Sequence, residues 1–189
     1  GEVTAVQATN LNLSAIRGEG IDYQITYDFD LDGLFGTRTG DFTAALAGTY
    51  LISREDVPFA DFTETTNILD EELNFPEHFI NFTLGWTLDR LTVNYGVNYQ
   101  SSQFRVCGFP VVDRELIEAD PLFINDPKTG DSFVHFLGGS YDVTDSVEFS
   151  LRVNNLFNRQ PFEAGAQGLR FRPVSALGRV VQIGARARF

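Results

Sequence analysis

Apolar and polar residues alternate along seven segments of the chain, the pattern of β-strands whose two faces differ. The segments are 21–31, 42–52, 80–88, 91–99, 132–143, 147–153 and 181–189. The alternation is cleanest over 91–99, whereas adjacent apolar residues at 133–134 and 136–137 blur the fifth segment. No segment has a helical period, so the pattern predicts an all-β protein.

The connections between these segments alternate strictly between short and long. The short ones are 33–40, 89–90 and 144–146, and the long ones are 53–78, 105–131 and 156–179. In an up-and-down antiparallel sheet, successive connections fall at opposite ends, so all tight turns share one end and all long loops the other. Short turns at one end and long loops at the other are typical of outer-membrane β-barrels.

The residue types favour a barrel with its apolar face toward lipid. Bulky Phe, Tyr, Trp, Leu and Ile side chains crowd one face, while Thr, Asn, Gln, Gly, Asp and Arg fill the other, as suits a watery lumen. Runs of about nine to eleven residues match a tilted strand that crosses hydrocarbon. Arg152, Arg186 and Arg188 fall on the polar face, where they avoid a cost of about 2–4 kcal/mol each in lipid. Candidate residues for aromatic girdles are Tyr23, Tyr27, Tyr50, Trp86, Tyr95, Tyr99 and Tyr141.

The strand number indicates an incomplete barrel. Seven strands is odd, and an open sheet in lipid leaves two edges of unpaired N–H and C=O groups, each costing several kcal/mol. The fold expected is therefore an antiparallel up-and-down transmembrane β-barrel segment of about seven strands, an arc of a larger barrel. The chain of 189 residues contains no Met, which is expected of a processed protein or a piece of a longer one.

Composition excludes several other classes. The net charge of −12 opposes nucleic-acid binding as the main task. Cys107 is the single cysteine, so the chain holds no disulfide framework or cysteine-based zinc site; it is expected to be a free thiol or to pair outside this chain. No catalytic motif, phosphate-binding loop or metal-ligand spacing occurs, so neither catalytic residues nor a cofactor are predicted.

Three segments carry a family resemblance. The segment 17–25, Arg-Gly-Glu-Gly-Ile-Asp-Tyr-Gln-Ile, resembles the Gly-(Ile/Leu/Phe)-(Asp/Glu) strand start of TonB-dependent receptors. The segment 151–162, Leu-Arg-Val-Asn-Asn-Leu-Phe-Asn-Arg-Gln-Pro-Phe, is similar to their penultimate-strand motif. The segment 178–189 is similar to their terminal strand. Residues 1–189 therefore resemble the C-terminal portion of such a receptor's barrel, with the plug domain and earlier strands absent.

The resemblance implies an importer in the outer membrane of a Gram-negative cell. Members of the family have a 22-stranded barrel closed by a plug. They import siderophores, cobalamin, haem or oligosaccharides with energy supplied through TonB, which contacts the N-terminal plug segment. The partners implied are outer-membrane lipid, the barrel assembly machinery, TonB and a small-molecule or oligosaccharide ligand. Two alternatives stay open, namely a small self-contained outer-membrane barrel and a soluble β-barrel that binds an apolar ligand inside.

Two groups of residues are candidate functional sites. The terminal aromatic and the alternating residues before it fit the signal read by the assembly machinery; they are Val181, Ile183, Ala185, Ala187 and Phe189. The last long loop holds candidate ligand contacts, which are Arg159, Phe162, Arg170, Phe171 and Arg172. The alternative for the arginines is ion pairing between acidic and basic loops, and for the phenylalanines packing of loop against loop. The residues do not specify the ligand.

Overall fold

A computed structural model describes residues 15–57, 67–68, 75–103, 129–160 and 177–188. Its elements in chain order are β1 (Ala15–Asp30), α1 (Asp32–Phe35), β2 (Asp41–Val57), β3 (Asn67–Ile68), β4 (His78–Leu88), β5 (Leu91–Gln100), β6 (Ser132–Thr144), β7 (Val147–Asn154) and β8 (Val180–Ala187). The strands form one sheet in the order β1-β2-β4-β5-β6-β7-β8, while the two-residue β3 pairs with β2. All pairs are antiparallel, which confirms the predicted up-and-down sheet.

The first two strands are longer than the alternation predicts. β1 begins at Ala15 rather than near Ile21, and β2 continues to Val57 rather than Ile52. In β1 the charged residues Arg17 and Glu19 occupy positions on the apolar face, so the hydropathy pattern ends before the strand does. In β2 a register shift makes Ile52 an extra residue between Leu51, which pairs with Gly20, and Ser53, which pairs with Glu19. The extra residue of a bulge moves later side chains to the opposite face, so the alternation breaks although the strands continue. The helix α1 has four residues and was not predicted, because one turn is too short to show a helical period.

The register aligns residues of the apolar face with one another across the whole sheet, and does the same for residues of the polar face. One row on the apolar face consists of Tyr27, Ala44, Leu84, Tyr95, Leu137, Val153 and Val181. The adjacent row on the polar face consists of Asp28, Thr43, Gly85, Asn94, Gly138, Arg152 and Gln182. The apolar face is largely uncovered, with Ile25 exposed to 61% and Ile183 to 82%.

The fifth predicted segment is blurred because three side chains of β6 lie on unexpected faces. Val134 lies on the polar face opposite Asn98. Phe136 lies on the polar face with its ring over Gly96, which faces it across the β5–β6 pair. His135 lies on the apolar face, where its Nδ1 is 2.7 Å from the hydroxyl oxygen of Tyr95. The Phe136 ring packs on Gly96, and His135 is hydrogen-bonded to Tyr95. Because each side chain has a partner on β5, β6 tolerates both placements.

Side-chain contacts fasten the ends of the strands that carry the tight turns, hereafter the turn end. In the turn that contains α1, the backbone N–H and hydroxyl of Thr39 donate to Asp32 Oδ1 at 2.6 and 2.8 Å. These two hydrogen bonds hold the pKa of the Asp32 carboxyl below its ordinary value, and the bond from the backbone N–H has the larger effect.

Ion pairs join each tight turn to the next. The guanidinium of Arg38 lies 2.7 Å from Asp89, which belongs to the turn between β4 and β5. In that same turn, Arg90 lies 3.1 Å from Asp145, which belongs to the turn between β6 and β7. All four side chains are more than half exposed, so each pair contributes little stability, but together they align the three turns along one edge.

The two outermost strands run in the same direction. β1 and β8 both start at the loop end, the end opposite the tight turns, and both finish at the turn end. Within the described residues, the outer edge of each has no partner strand. Joining these two edges directly would create a parallel pair, so a closed, wholly antiparallel barrel needs an odd number of further strands between them.

Candidate functional site in the barrel wall

An aromatic belt crosses β1, β2 and β4 on the apolar face near the turn end. The ring of Phe29 stacks on Tyr27 at 5.7 Å and on Phe42 at 5.2 Å, and Phe42 stacks on Trp86 at 6.2 Å. The indole Nε1 of Trp86 donates to the backbone carbonyl of Thr39 at 2.7 Å. The belt thus has an apolar body with one polar contact toward the turn, the arrangement that suits an apolar–aqueous boundary.

A second belt crosses the same face near the loop end. Its ring pairs are Tyr50 with His78 at 4.9 Å, Tyr99 with Phe133 at 4.8 Å and His135 with Phe157 at 4.7 Å. Along β2, Phe42 of the first belt and Tyr50 of the second are eight residues apart. At about 3.3 Å per residue the belts lie about 26 Å apart along the strand, or about 20 Å apart if the strands tilt by about 40°. Apolar side chains such as Leu46 and Phe82 fill the strip between them.

The polar face carries opposite charges at its two sides. Near β1 the carboxylates of Asp22 and Asp28 accept hydrogen bonds at 2.6 Å from the hydroxyls of Thr49 and Thr43. On β7 and β8 the same face carries Arg152 and Arg186. Apart from the apolar side chains of Phe79, Val134 and Phe136, the middle strands present polar or glycine residues, so this face is suited to line an aqueous space.

At the loop end, the segment that follows β7 is held by side-chain hydrogen bonds. Asn155 and Asn158 both adopt positive φ, of 52° and 54°, and Asn155 is 5% exposed. The side chain of Asn155 donates to the carbonyl of Arg159 and accepts from its N–H, both at 2.8 Å. Asn158 Oδ1 accepts from the N–H of Arg179 at 2.9 Å, just before β8 begins. The Asn-Leu-Phe-Asn segment therefore ties the end of β7 to the start of β8.

We expect Asn155→Gly to destabilise the fold by about 1–3 kcal/mol, because it leaves two backbone groups of Arg159 without their partners. Glycine accepts the positive φ, so the loss reports the hydrogen bonds rather than backbone strain. Urea unfolding in detergent micelles measures the change. The matched control is Gln160→Ala, an exposed side chain five residues on with a single 3.4 Å contact, for which no change is expected. Equal stability of both variants would contradict a fastening role for Asn155.

The predicted site residues fall into two groups. Val181, Ile183, Ala185 and Ala187 lie on the apolar face of β8, opposite apolar residues of β7. Phe189 lies outside the described residues, so the assembly signal stays a prediction.

The guanidinium of Arg159 donates to the backbone carbonyl of Asp131 at 2.5 Å, which joins the last loop to the start of β6. Its role as a ligand contact stays a prediction, and the other four candidates lie outside the described residues: Phe162, Arg170, Phe171 and Arg172.

Sequence reasoning missed several structural pairs. The Tyr95–His135 bond and the Phe136 ring over Gly96 depend on the register of β5 and β6, which no local pattern contains. The signal that could have revealed the turn after β7 is the Asn-x-x-Asn spacing, because Asn adopts positive φ more readily than most residues.

Neither a membrane-spanning helix nor a metal-ligand cluster occurs in the described segments. Among the described segments, no helix is long and apolar enough to cross a membrane. In the same part of the chain, no group of His, Cys, Asp and Glu is arranged to hold a metal ion.

Comparison with solved structures identifies the architecture. A mutant of the ferric enterobactin receptor PfeA from Pseudomonas aeruginosa matches 91% of this chain with a TM-score of 0.55 at 20% identity. The chain has the fold of an arc of a TonB-dependent receptor barrel. The chain spans 22% of the length of PfeA.

A second solved structure also matches the chain. The ferric-catecholate import receptor Fiu from E. coli K12 matches 91% of the chain, which spans 28% of Fiu, with a TM-score of 0.45 at 16% identity. No family model and no curated protein sequence matches the chain.

Proposed function

We propose that this chain is the C-terminal portion of the barrel of a TonB-dependent outer-membrane receptor that imports a nutrient ligand. The observation that carries the proposal is the sheet itself, with one apolar face bounded by two aromatic belts and one polar face. The belts enclose a strip comparable in height to the apolar band of about 25 Å of outer-membrane barrels. The apolar face then meets lipid, and the polar face lines the lumen.

The open edges support an arc rather than a complete small barrel. Unpaired backbone groups at β1 and β8 would each cost several kcal/mol in hydrocarbon. Because β1 and β8 run in the same direction, at least one further strand is needed for antiparallel closure. Strands that precede this chain in a longer receptor would supply the missing wall, and a plug would close its lumen.

The proposed cargo is a siderophore, vitamin or oligosaccharide. A ferric siderophore is the first to test, because the PfeA fold that the arc resembles belongs to a ferric enterobactin receptor. The basic last loop, with Arg159, Arg170 and Arg172, would give an anionic chelate a favourable field. The function is transport rather than catalysis. In this role the protein's partners are membrane lipid, TonB through the plug, and the assembly machinery through 181–189.

The experiment is uptake by cells in which the gene is deleted. We expect accumulation of a ⁵⁵Fe-loaded catecholate siderophore to fall in the deletion strain, to recover on complementation, and to require TonB. Labelled cobalamin and a labelled oligosaccharide test the other two cargo classes in the same cells. Unchanged uptake of all three would contradict the import function.

Solubility, membrane insertion and the upstream gene sequence distinguish the two alternatives from the proposed receptor. A soluble barrel would be monodisperse in buffer without detergent, with its aromatic rows buried inside. A small self-contained barrel would insert into membranes without upstream strands, and its gene would encode no plug domain before Gly1. Either result would replace the proposed receptor.

A further inference from the structure

A hollow of about 660 Å³ lies in the polar face around Gly138 of β6. Its polar lining comes from five neighbouring strands and consists of Thr83, Asn94, Ser140, Ser150, Arg152 and Gln182. Hollows of 300–1,000 Å³ with a few convergent polar groups are the usual size of small-molecule sites. Arg152 is the one charged residue in this lining.

The hollow exists because the side chains around Gly138 lean away from it. Phe136 covers Gly96 of β5, and the Asn94 side chain lies over Gly85 of β4. On the other side, the Ser150 hydroxyl lies over Gly184 of β8, where a Cβ atom would be 2.6 Å away. Gly138 itself contributes no side chain. The register and four glycines therefore build this depression into the wall.

Arg152 is surrounded only by uncharged positions on this face. Ser150 and Asn154 are its neighbours along β7, and Gly138 and Gln182 lie opposite it on β6 and β8. The diagonal positions are also uncharged: Phe136, Ser140, Val180 and Gly184. In the described part of the chain, Arg152 has no hydrogen bond or ion pair.

The other charges of the polar face do not neutralise Arg152. Glu148, the nearest acid on β7, lies opposite Arg186 across the β7–β8 pair. Asp28 occupies the same row as Arg152 but lies five strand spacings away. At about 4.8 Å per spacing this is about 24 Å, well beyond the Debye length of about 8 Å in physiological salt.

We propose that the hollow over Gly138 is a binding subsite for a small anion, a carboxylate or a phosphate ester, inside the lumen. The Arg152 guanidinium supplies two parallel donors in the geometry that such anions accept. The hydroxyl of Ser140 and the amide of Gln182 supply neutral donors around it. The inference rests on the proposed function, because the polar face must line an aqueous lumen for an anion to reach it.

Calorimetric titration of the detergent-purified receptor with inorganic phosphate tests the subsite. We expect Arg152→Gln to weaken phosphate binding about tenfold or more, and Arg152→Lys to retain part of the affinity through its charge without the paired donors. The matched control is Arg186→Gln, which removes the same charge from the same face outside the hollow. Its affinity should stay within about twofold of the parent. Equal losses in Arg152→Gln and Arg186→Gln, or no binding by the parent, would overturn the subsite.

Cysteine labelling separates failure of the subsite from failure of the proposed function. In a Cys107→Ser background, a charged membrane-impermeant thiol reagent should label Asn81→Cys on the polar face and spare Phe82→Cys on the apolar face. If Phe82→Cys is labelled and Asn81→Cys is not, the assigned facing and the receptor proposal both fail. If the labelling follows the assigned facing but phosphate does not bind, the subsite alone fails. If phosphate binds only after a lumen-filling domain is removed, Arg152 pairs with a carboxylate of that domain, and the proposal of a site for a small diffusible anion is overturned.

Discussion

Replacing Leu84 by Arg should strongly reduce the amount of protein that inserts into the outer membrane. Leu84 lies in the middle of β4 on the apolar face, between Ala44 and Tyr95 and two residues from Trp86 of the first belt. An arginine at the midplane of the lipid face costs about 2–4 kcal/mol. The measurement is the quantity of folded, heat-modifiable protein in the outer-membrane fraction.

The adjacent residue provides the control. Thr83 is on the polar face, opposite Ala45 and Gly96, and its side chain opens on the hollow. Thr83→Arg introduces the same charge one residue away and should insert at a level near that of the parent. A second pair, Tyr95→Arg and Asn94→Arg, repeats the contrast on β5, although Tyr95→Arg also removes the bond to His135. Equal insertion of Leu84→Arg and Thr83→Arg would refute the assigned facing.

Gly40→Ala should destabilise the protein by about 2–4 kcal/mol. Gly40 is buried where the first tight turn enters β2, with a φ of +86°, a conformation that costs an alanine about 1–2 kcal/mol. A Cβ atom there would also collide with the backbone carbonyl of Thr87 and come within 2.9 Å of Trp86 Nε1. Backbone cannot yield as a flexible side chain does, so overpacking adds to the strain. Urea unfolding of the refolded protein in micelles measures the loss.

Gly33 is the matched position in the same turn. It has no atom within 4 Å of its Cβ position and lies in α1, so Gly33→Ala should be neutral or slightly stabilising. Intrinsic tryptophan fluorescence adds a local readout, because Gly40→Ala should displace the indole that donates to Thr39. A loss of stability in Gly33→Ala equal to that in Gly40→Ala would show that the turn tolerates no side chain at all, contrary to the open space around Gly33.

The sequence predicts those strands in which side-chain facing alone decides the pattern. β4, β5 and β7 alternate without interruption, and their ends fall within a residue or two of the predicted bounds. The turn at Asp89 follows from the short connection between two clean runs. β2 contains a bulge at Ile52, which reverses the alternation without ending the strand. β1 continues through the charged residues Arg17 and Glu19, so neither extension can be read from hydropathy. α1 is a single helical turn, too short to have a period.

The features of the site depend on which residues face one another across strands. Arg152 was assigned to the polar face from the sequence, but its isolation among uncharged neighbours follows only from the pairing with Gly138 and Gln182. The ring of Phe136 belongs to the polar face because Gly96 lies opposite, which local hydropathy does not encode. Four of the five predicted ligand contacts lie outside the described residues, in a long connection whose sequence carries no periodic signal.

Among the long strands, each pairs only with those that precede and follow it in the chain. Such a wall is assembled from consecutive hairpins, with no crossover that fixes the total number. Duplication or loss of one hairpin during evolution would therefore widen or narrow the pore while leaving every remaining strand pair in its original register. The circumference of the barrel can change by genetic steps of a single up-and-down unit.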